Sequence, residues 1–421
     1  MTTINIKTYP NQPILTRGGV PLFIGEDTLI YASQFTLYKI NLRTGSFSYS
    51  DAVKNLLGDV SEGNYVQPAV VKGGNLAFTC LYSKNAETRG SRYLYARRVV
   101  INPTDLSLVR YGNEIQFSNN VLDVALFGVY PPLELSPNHL LFNHAFKGNF
   151  VAVDFWKQSI YVMPEYAPTG YAMTLFGIVR DRTNNQLALL AGKHYWIPGS
   201  YSYVYAINPR DWSQIASSTA YDSGSGAMLQ RSMYVDSQGV TRMILFGGSG
   251  GYPYTQYTSK WNAIYVDNNG FGNEFTVVAD GNYGTFEAGN RYPNILGVTP
   301  NNTLLLGVFG HADGGVSSFG VSVLEVNDTL GAPRNKVEAS FPISTNERTS
   351  LLAGWRHFFL LESDWNLYMY AGVITYNNTP TLVIFQITDY PDIIDPNPYG
   401  YYVVPRSGLR PTKLTLSVTP L

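Results

Sequence analysis

The spacing in this chain that comes nearest to catalysis is Gly247-Gly248-Ser249-Gly250-Gly251. It fits the G-x-S-x-G turn that lifts a nucleophilic serine from the end of a strand. Such a turn must lead into a helix, whereas the next residues, Tyr252-Pro253-Tyr254-Thr255-Gln256-Tyr257, are aromatic and interrupted by proline. The segment therefore reads as a glycine loop between two strands, and no Gly-Lys-Ser/Thr comes after it to make it a phosphate loop. The five histidines, His139, His144, His194, His311 and His357, contain no i, i+4 pair and have no cysteine partner, so no metal or other cofactor is expected. His311-Ala312-Asp313 alone sets an imidazole and a carboxylate on one side of an extended segment. In a glycine-rich stretch, two polar residues of a solvated turn are the simpler reading.

Cleavage of a sugar bond needs two acids facing each other across it. Few carboxylates fall where inner strands are expected: Asp123 and Glu134, then Glu287. Asp105, Asp181, Asp211, Asp236 and Asp267 fall instead in outer turns. If the chain were a hydrolase or lyase, Glu287, Arg291, His311 and Asp313 would be the polar channel set to inspect. The scattered acids favour a protein that is not an enzyme.

Aromatic residues make a more coherent set. Tyr195, Trp196, Tyr201 and Tyr203 come after His194, and Tyr252, Tyr254, Tyr257 and Trp261 come after the glycine loop. Flat rings with polar tips and small neighbours suit the apolar face of a sugar ring or a protein partner. The simpler reading of the same rings is that they fill the packing between blades. Asn301, Asn327 and Asn377 each begin an N-x-Thr acceptor sequence.

The elements that must carry these residues are strands. Of 421 residues 45% are hydrophobic but only 14% charged, and Tyr alone numbers 32. A surface of Tyr, Asn, Gly, Ser and Thr favours pleated strands and tight turns over helices. The net charge of -1, without a basic block, argues against a nucleic-acid partner. Cys80 lies in an apolar run and reads as a buried small hydrophobe. The start of the chain lacks the basic and apolar segments of a cleavable signal, and no run of 18 apolar residues suggests a membrane span. So few ionisable groups permit an acidic exterior.

One arrangement recurs seven times: strand, Gly/Asn turn, apolar strand, variable loop, and a third strand ending in a polar turn. The second strands are Thr28-Leu-Ile-Tyr-Ala32, Asn75-Leu-Ala-Phe-Thr79, His139-Leu-Leu-Phe-Asn143, Gln186-Leu-Ala-Leu-Leu190, Arg242-Met-Ile-Leu-Phe246, Thr303-Leu-Leu-Leu-Gly307 and Asn366-Leu-Tyr-Met-Tyr370. They begin about 47 to 64 residues apart, too far for leucine-rich or ankyrin arrays. Third strands such as Leu37-Tyr-Lys-Ile-Asn41 and Val204-Tyr-Ala-Ile-Asn208 end in Asn or Asp, whose side chains can bond the next turn. Pro68, Pro131, Pro132 and Pro293 stand at the expected entrances to innermost strands.

In this layout, over roughly residues 15 to 395, the chain resembles the β-propeller superfamily. It carries no WD dipeptide, no kelch pattern and no sialidase-type Asp-box, so no catalytic residue is carried over. The resemblance implies an all-β fold: one propeller of seven blades of about four antiparallel strands over residues 1–394, with a Pro/Tyr-rich extension over 395–421. Ring closure would need one blade built from both chain ends, with either the Ile4/Ile6 alternation or the run from Val20 to Ile24 pairing beside the last unit. The low-charge composition also looks like that of surface proteins of viruses that infect archaea in hot acid. The function expected is non-enzymatic: binding of a host glycan or a neighbouring virion subunit, at a virion surface or otherwise outside the cell. The alternatives are a carbohydrate-active hydrolase or lyase, and a cytoplasmic scaffold for protein contacts.

Overall fold

In the computed structural model, residues 2–13, 20–24, 27–60, 62–70, 74–84, 93–118, 133–136, 139–144, 149–155, 157–162, 172–180, 187–194, 203–208, 210–217, 233–235, 241–247, 259–267, 270–279, 290–301, 303–311, 318–327, 333–342, 360–363 and 366–392 are described. They form seven antiparallel sheets and one short helix. The chain opens with β1 (Thr3–Pro10), which belongs to the last sheet. The first sheet is β2 (Val20–Ile24), β3 (Thr28–Ser33), β4 (Thr36–Asn41) and β5 (Phe47–Ser50), with α1 (Ala52–Leu57) after it. The second is β6 (Glu62–Val70), β7 (Leu76–Lys84) and β8 (Tyr93–Ile101), with β9 (Leu108–Tyr111) and β10 (Ile115–Ser118) both on β8. The third is β11 (Leu133–Ser136), β12 (His139–His144), β13 (Asn149–Asp154) and β14 (Ser159–Val162). The fourth is β15 (Ala172–Arg180), β16 (Leu187–His194), β17 (Tyr203–Ile207) and β18 (Gln214–Ser217). The fifth is β19 (Met233–Val235), β20 (Thr241–Gly247), β21 (Ser259–Asp267) and β22 (Gly270–Ala279). The sixth is β23 (Asn290–Val298), β24 (Thr303–His311), β25 (Ser318–Asn327) and β26 (Pro333–Pro342). The seventh is β27 (Leu360–Ser363), β28 (Asn366–Tyr376) and β29 (Thr379–Thr388), completed by β1.

Each of the seven apolar runs picked out in the sequence is the second strand of a sheet, and Leu37 to Asn41 and Val204 to Asn208 fall on third strands. Burial explains why the second strands stand out. β7 is buried at eight successive positions, so both of its faces meet other side chains, and β3 is buried at four in a row. The fourth strands are wet: β5, β9 and β18 are exposed at most positions. Between the first two sheets the core joins Leu22, Ile30 and Leu37 to Phe78, Cys80, Tyr82 and Val99, with Val53 and Leu57 of α1 wedged in. Cys80 is buried as expected, and burial pushes its thiol well above the ordinary value.

The polar ends of the third strands bond as the sequence suggests. Asn41 Oδ1 accepts from the Arg43 and Thr44 amides, Asn102 Oδ1 from Thr104, Asp154 Oδ1 from Lys157 and Asn208 Oδ1 from Arg210. Four of these turns share a six-residue form starting at Asn41, Asn102, Asp154 and Asn208, with a serine at the sixth place. The fifth residue, Gly45, Leu106, Gln158 or Trp212, has φ of 74°, 61°, 52° or 63°.

The two chain ends meet in the seventh sheet, through the Ile4/Ile6 alternation rather than Val20 to Ile24. Ile4 lies opposite Ile387 and Ile6 opposite Phe385, whereas residues 20–24 form the first strand of the first sheet. Gln12 fixes the exit of β1: its amide nitrogen donates to the carbonyl oxygens of Pro10 and Gly45, and its backbone amide to Pro380. The prolines need a correction. Pro68 and Pro293 lie inside β6 and β23, not at their entrances. Both strands are sheet edges, and in β6 the register slips between Val66 and Ala69, so a missing amide hydrogen is tolerated there. β11 does begin directly after Pro132.

Several sheets adjacent in the chain also touch. β2 meets β6, β11 and β12 meet β15, β18 meets β22, and β19 meets β23. β26 meets β1, and β27 meets β2, so the seventh sheet touches both the sixth and the first. The result is a propeller-like succession of sheets in chain order.

Candidate functional site

The strand order gives every sheet two unlike ends. Connections from first to second strand and from third to fourth lie at one end, and none is longer than the six residues of 102–107, 181–186 or 208–213. At the other end lie the second-to-third connections and the crossings to the next sheet, which run to 195–202, 248–258, 218–232 and 343–359. Long connections on a rigid sheet frame are where binding residues concentrate.

Tyr203, Trp261, Arg291 and His311 fall at or near this second end, in three consecutive sheets. Tyr195, Trp196 and Tyr201 belong to 195–202, between β16 and β17, and Tyr203 is the first residue of β17, opposite Lys193. Tyr252, Tyr254 and Tyr257 belong to 248–258, between β20 and β21. Trp261 is not a loop residue: it is the third residue of β21, between Phe246 and Val277. In the sixth sheet Arg291 is the second residue of β23 and His311 the last of β24. His311 pairs with Asn290 and Gly310 with Arg291, so the register places Arg291 and His311 on opposite faces of the sheet and does not bring them together. Glu287 precedes β23 and Asp313 comes after β24 in the chain. Tyr195, Trp196, Tyr201, Tyr252, Tyr254, Tyr257, Glu287 and Asp313 lie outside the described residues, as do the extension from 395 to 421 and residues 248–251 of the serine-containing glycine loop. The next element after that loop is β21, a strand and not the helix a nucleophilic elbow requires.

One side-chain cluster at this end had no signature in the sequence. Tyr82 on β7 stands opposite Tyr95 on β8, with the rings stacked 5.8 Å apart. Lys84 Nζ lies 5.6 Å and 5.2 Å from the two ring centroids and donates to Glu114 Oε2 at 2.6 Å. The Tyr82 hydroxyl donates to the same oxygen, and Phe35 of the first sheet meets the Tyr82 ring edge-on at 6.0 Å. Glu114 lies 30 residues from Lys84 and 32 from Tyr82, and strand pairing alone brings the three together. Burial, then the Glu114 bond, raise the Tyr82 hydroxyl far above the ordinary tyrosine value, so it stays a neutral donor and is no general base near neutral pH. Lys84 is spent on Glu114 and on two aromatic faces. The cluster ties β7, β8 and the approach to β10 together where connection 85–92 begins.

At the other end, carboxylates serve the turns. Ser107 donates through both its amide and its hydroxyl to Asp105 Oδ1, and Ser213 does the same to Asp211. These bonds hold both carboxyls below their ordinary range. Among the described residues no group of His, Cys, Asp and Glu could hold a metal ion, and no helix is long and apolar enough to cross a membrane.

No family model matches the chain, and no curated protein matches it. Solved structures with some likeness include a polysaccharide lyase, the ulvan lyase of the new family PL25 (TM-score 0.41, 11% identity, covering 80% of this chain and 86% of the lyase). The N-terminal domain of Nup159 gives a TM-score of 0.38 at 12% identity over 91% and 95% of the two chains. A chain of the mitotic checkpoint complex gives 0.27 at 10% identity over 72% and 87%. Likenesses this weak say nothing of what this chain binds or does.

Proposed function

We propose that the chain is a seven-bladed β-propeller, closed through β1, that binds a glycan without altering it. The seven sheets in chain order, the contacts of the seventh with the sixth and the first, and the pairing of β1 with β29 support the ring. The observation that carries the binding reading is the placement of two aromatic connections, 195–202 and 248–258, at the same end of two consecutive sheets. In a ring with the blades alike, both would rise from one rim. Tyrosine and tryptophan faces there would cover the apolar side of a pyranose, and the uncharged surface would leave little to repel it. Such a protein suits display on a virion or another surface outside the cell.

The test is a glycan array on the full chain at neutral and acidic pH, with a reducing-sugar assay on each hit. Selective binding without sugar release is expected. Trp196→Ala should weaken that binding about 30-fold, the loss of an aromatic anchor worth roughly 2 kcal/mol, and leave the thermal midpoint unchanged. Trp261→Ala is a less clean probe, because residue 261 lies within a central strand.

A hydrolase or lyase is the second reading, with His311 at the end of β24 as its first candidate residue. Turnover in the same assay that falls with His311→Ala would establish it. No binding to any glycan would point to a neighbouring subunit as the partner.

A further inference from the structure

We propose that the outer flank of the first sheet is a second sugar-binding surface, on which Tyr38 and Tyr49 stack against a neutral oligosaccharide and Asp51 accepts hydrogen bonds from its hydroxyls. This surface shares its class of ligand with the glycan reading above and rests on it for that alone. None of its residues belongs to connections 195–202 and 248–258.

Side chains alternate across a strand, so pairing fixes which residues share a face. Tyr31 on β3 stands opposite Tyr38 on β4, Tyr38 opposite Tyr49 on β5, and Phe47 lies on the same face opposite Ile40. This row of rings runs from the core into water. Tyr31 is buried, Tyr38 half-buried, Tyr49 64% exposed and Phe47 44% exposed. The Tyr31 and Tyr38 rings are stacked 5.2 Å apart at 14°, and the Tyr38 and Tyr49 rings lie 6.3 Å apart, close enough for two linked sugar rings to meet both. The buried ring thus backs the half-buried one and fixes the platform before a ligand arrives. β5 reads Phe-Ser-Tyr-Ser, without the charge or proline that ordinarily protects an outer strand. On the next sheet the exposed ring of Tyr111 is already taken, by the Arg97 guanidinium 4.8 Å over it.

Charge and hydrogen bonding select the partner. Lys39 is the only charged residue of β3, β4 and β5, and its ammonium turns to the second sheet, where it donates to the Thr104 carbonyl. Asp51, two residues beyond Tyr49, continues the tyrosine side: its Oδ1 accepts from the hydroxyl of Thr36, which stands two residues before Tyr38 on the same face of β4. Its Oδ2 has no protein partner among the described residues. Partial burial, then the nearby Asp51 carboxylate and Tyr49, raise the Tyr38 hydroxyl above the ordinary tyrosine value, so it stays a neutral donor. Flat rings with polar tips beside an open carboxylate oxygen match a sugar, whose ring faces carry C–H groups and whose edges carry hydroxyls. An anionic glycan would meet Asp51 with no cation on this face to offset it, which leaves a neutral one.

NMR titration of the full chain, isotope-labelled in its tyrosine rings, with cellohexaose, mannohexaose, laminarihexaose and maltohexaose tests the surface. At least one of these sugars should shift the ring signals of Tyr38 and Tyr49, identified by their loss in the Tyr38→Phe and Tyr49→Phe chains. Affinity for that sugar should fall about 10-fold in Tyr49→Ala and stay within about 3-fold in Tyr49→Phe, which keeps the flat face. It should fall about 5-fold in Asp51→Asn, which keeps an acceptor for Thr36 without the charge. The exposed Tyr49 can be truncated without unfolding, so the thermal midpoint of Tyr49→Ala should not change. Repeating the titration in the Trp196→Ala chain separates the two surfaces. Shifts at Tyr38 and Tyr49 that persist there support the flank whether or not the rim binds. Shifts that vanish with Trp196→Ala, or tyrosine signals that none of the four sugars moves, would overturn the proposal. So would self-association that Tyr49→Ala abolishes, read by sedimentation, because the surface would then belong to a second copy.

Discussion

Gly45, Leu106, Gln158 and Trp212 occupy equivalent places in their turns with positive φ, although only one is a glycine. For an L-residue this conformation costs on the order of 1 kcal/mol, which the turn's backbone bonds must offset. The Gly45, Leu106 and Trp212 amides donate to the carbonyls of Asn41, Asn102 and Asn208. Leu106 is also buried in the core, so its side chain compensates, whereas Gln158 is exposed. Gln158→Gly should therefore leave the molecule as stable or slightly more so, and Gln158→Val should lower stability by about 1–2 kcal/mol, both measurable by urea unfolding. The serine at the sixth place controls a carboxyl. With the folded pKa of Asp105 lowered by Ser107, the stabilisation is present above the unfolded value near 4 and is lost as pH falls through the folded value. Ser107→Ala should move the Asp105 titration, followed by NMR, upward toward the ordinary range while the residue-107 amide still holds it partly down, and Ser213→Ala should do the same for Asp211. Since both groups are fully exposed, the effect on global stability is small.

Among the elements, burial falls from the second strand outward, and β1 is the exception that decides the most. It is an outer strand by exposure, yet it covers the edge of β29, which is buried at 381–385. Deleting residues 2–10 removes a complete set of strand bonds and opens an apolar edge, which templates pairing with other chains. The expected outcome is a lower thermal midpoint with concentration-dependent self-association, read by light scattering. A monomer of unchanged stability would show that β1 contributes little to the seventh sheet. The short helix α1 fills another role: Val53 and Leu57, one turn apart, enter the core between the first two sheets, and the Arg97 guanidinium donates to the Leu56 carbonyl. Asp51 precedes the helix but gives it no side-chain cap, because its carboxylate accepts from Thr36.

For the whole molecule, seven sheets in chain order can close into a ring or stay an open arc. A closed and compact chain of 421 residues should have a radius of gyration of about 22 Å, which solution X-ray scattering measures. A value well above that, with an elongated distance distribution, would favour the arc and remove the common rim on which the glycan reading depends. The asymmetry between the two ends survives either outcome, because it comes from strand order alone.

The sequence by itself determined the seven units, their second and third strands and their polar turns. These features are local: burial on both faces writes short apolar runs, and a side chain that bonds its own turn is typically Asn or Asp. Tertiary structure alone decided that Ile4 and Ile6 complete the last sheet, since Ile4 and Ile387 are separated by almost the whole chain and strand patterning does not name its partner. It also decided that Tyr82, Lys84, Tyr95 and Glu114 form one group. Strand pairing brings such residues together across loops of any length, so no spacing in the sequence records them.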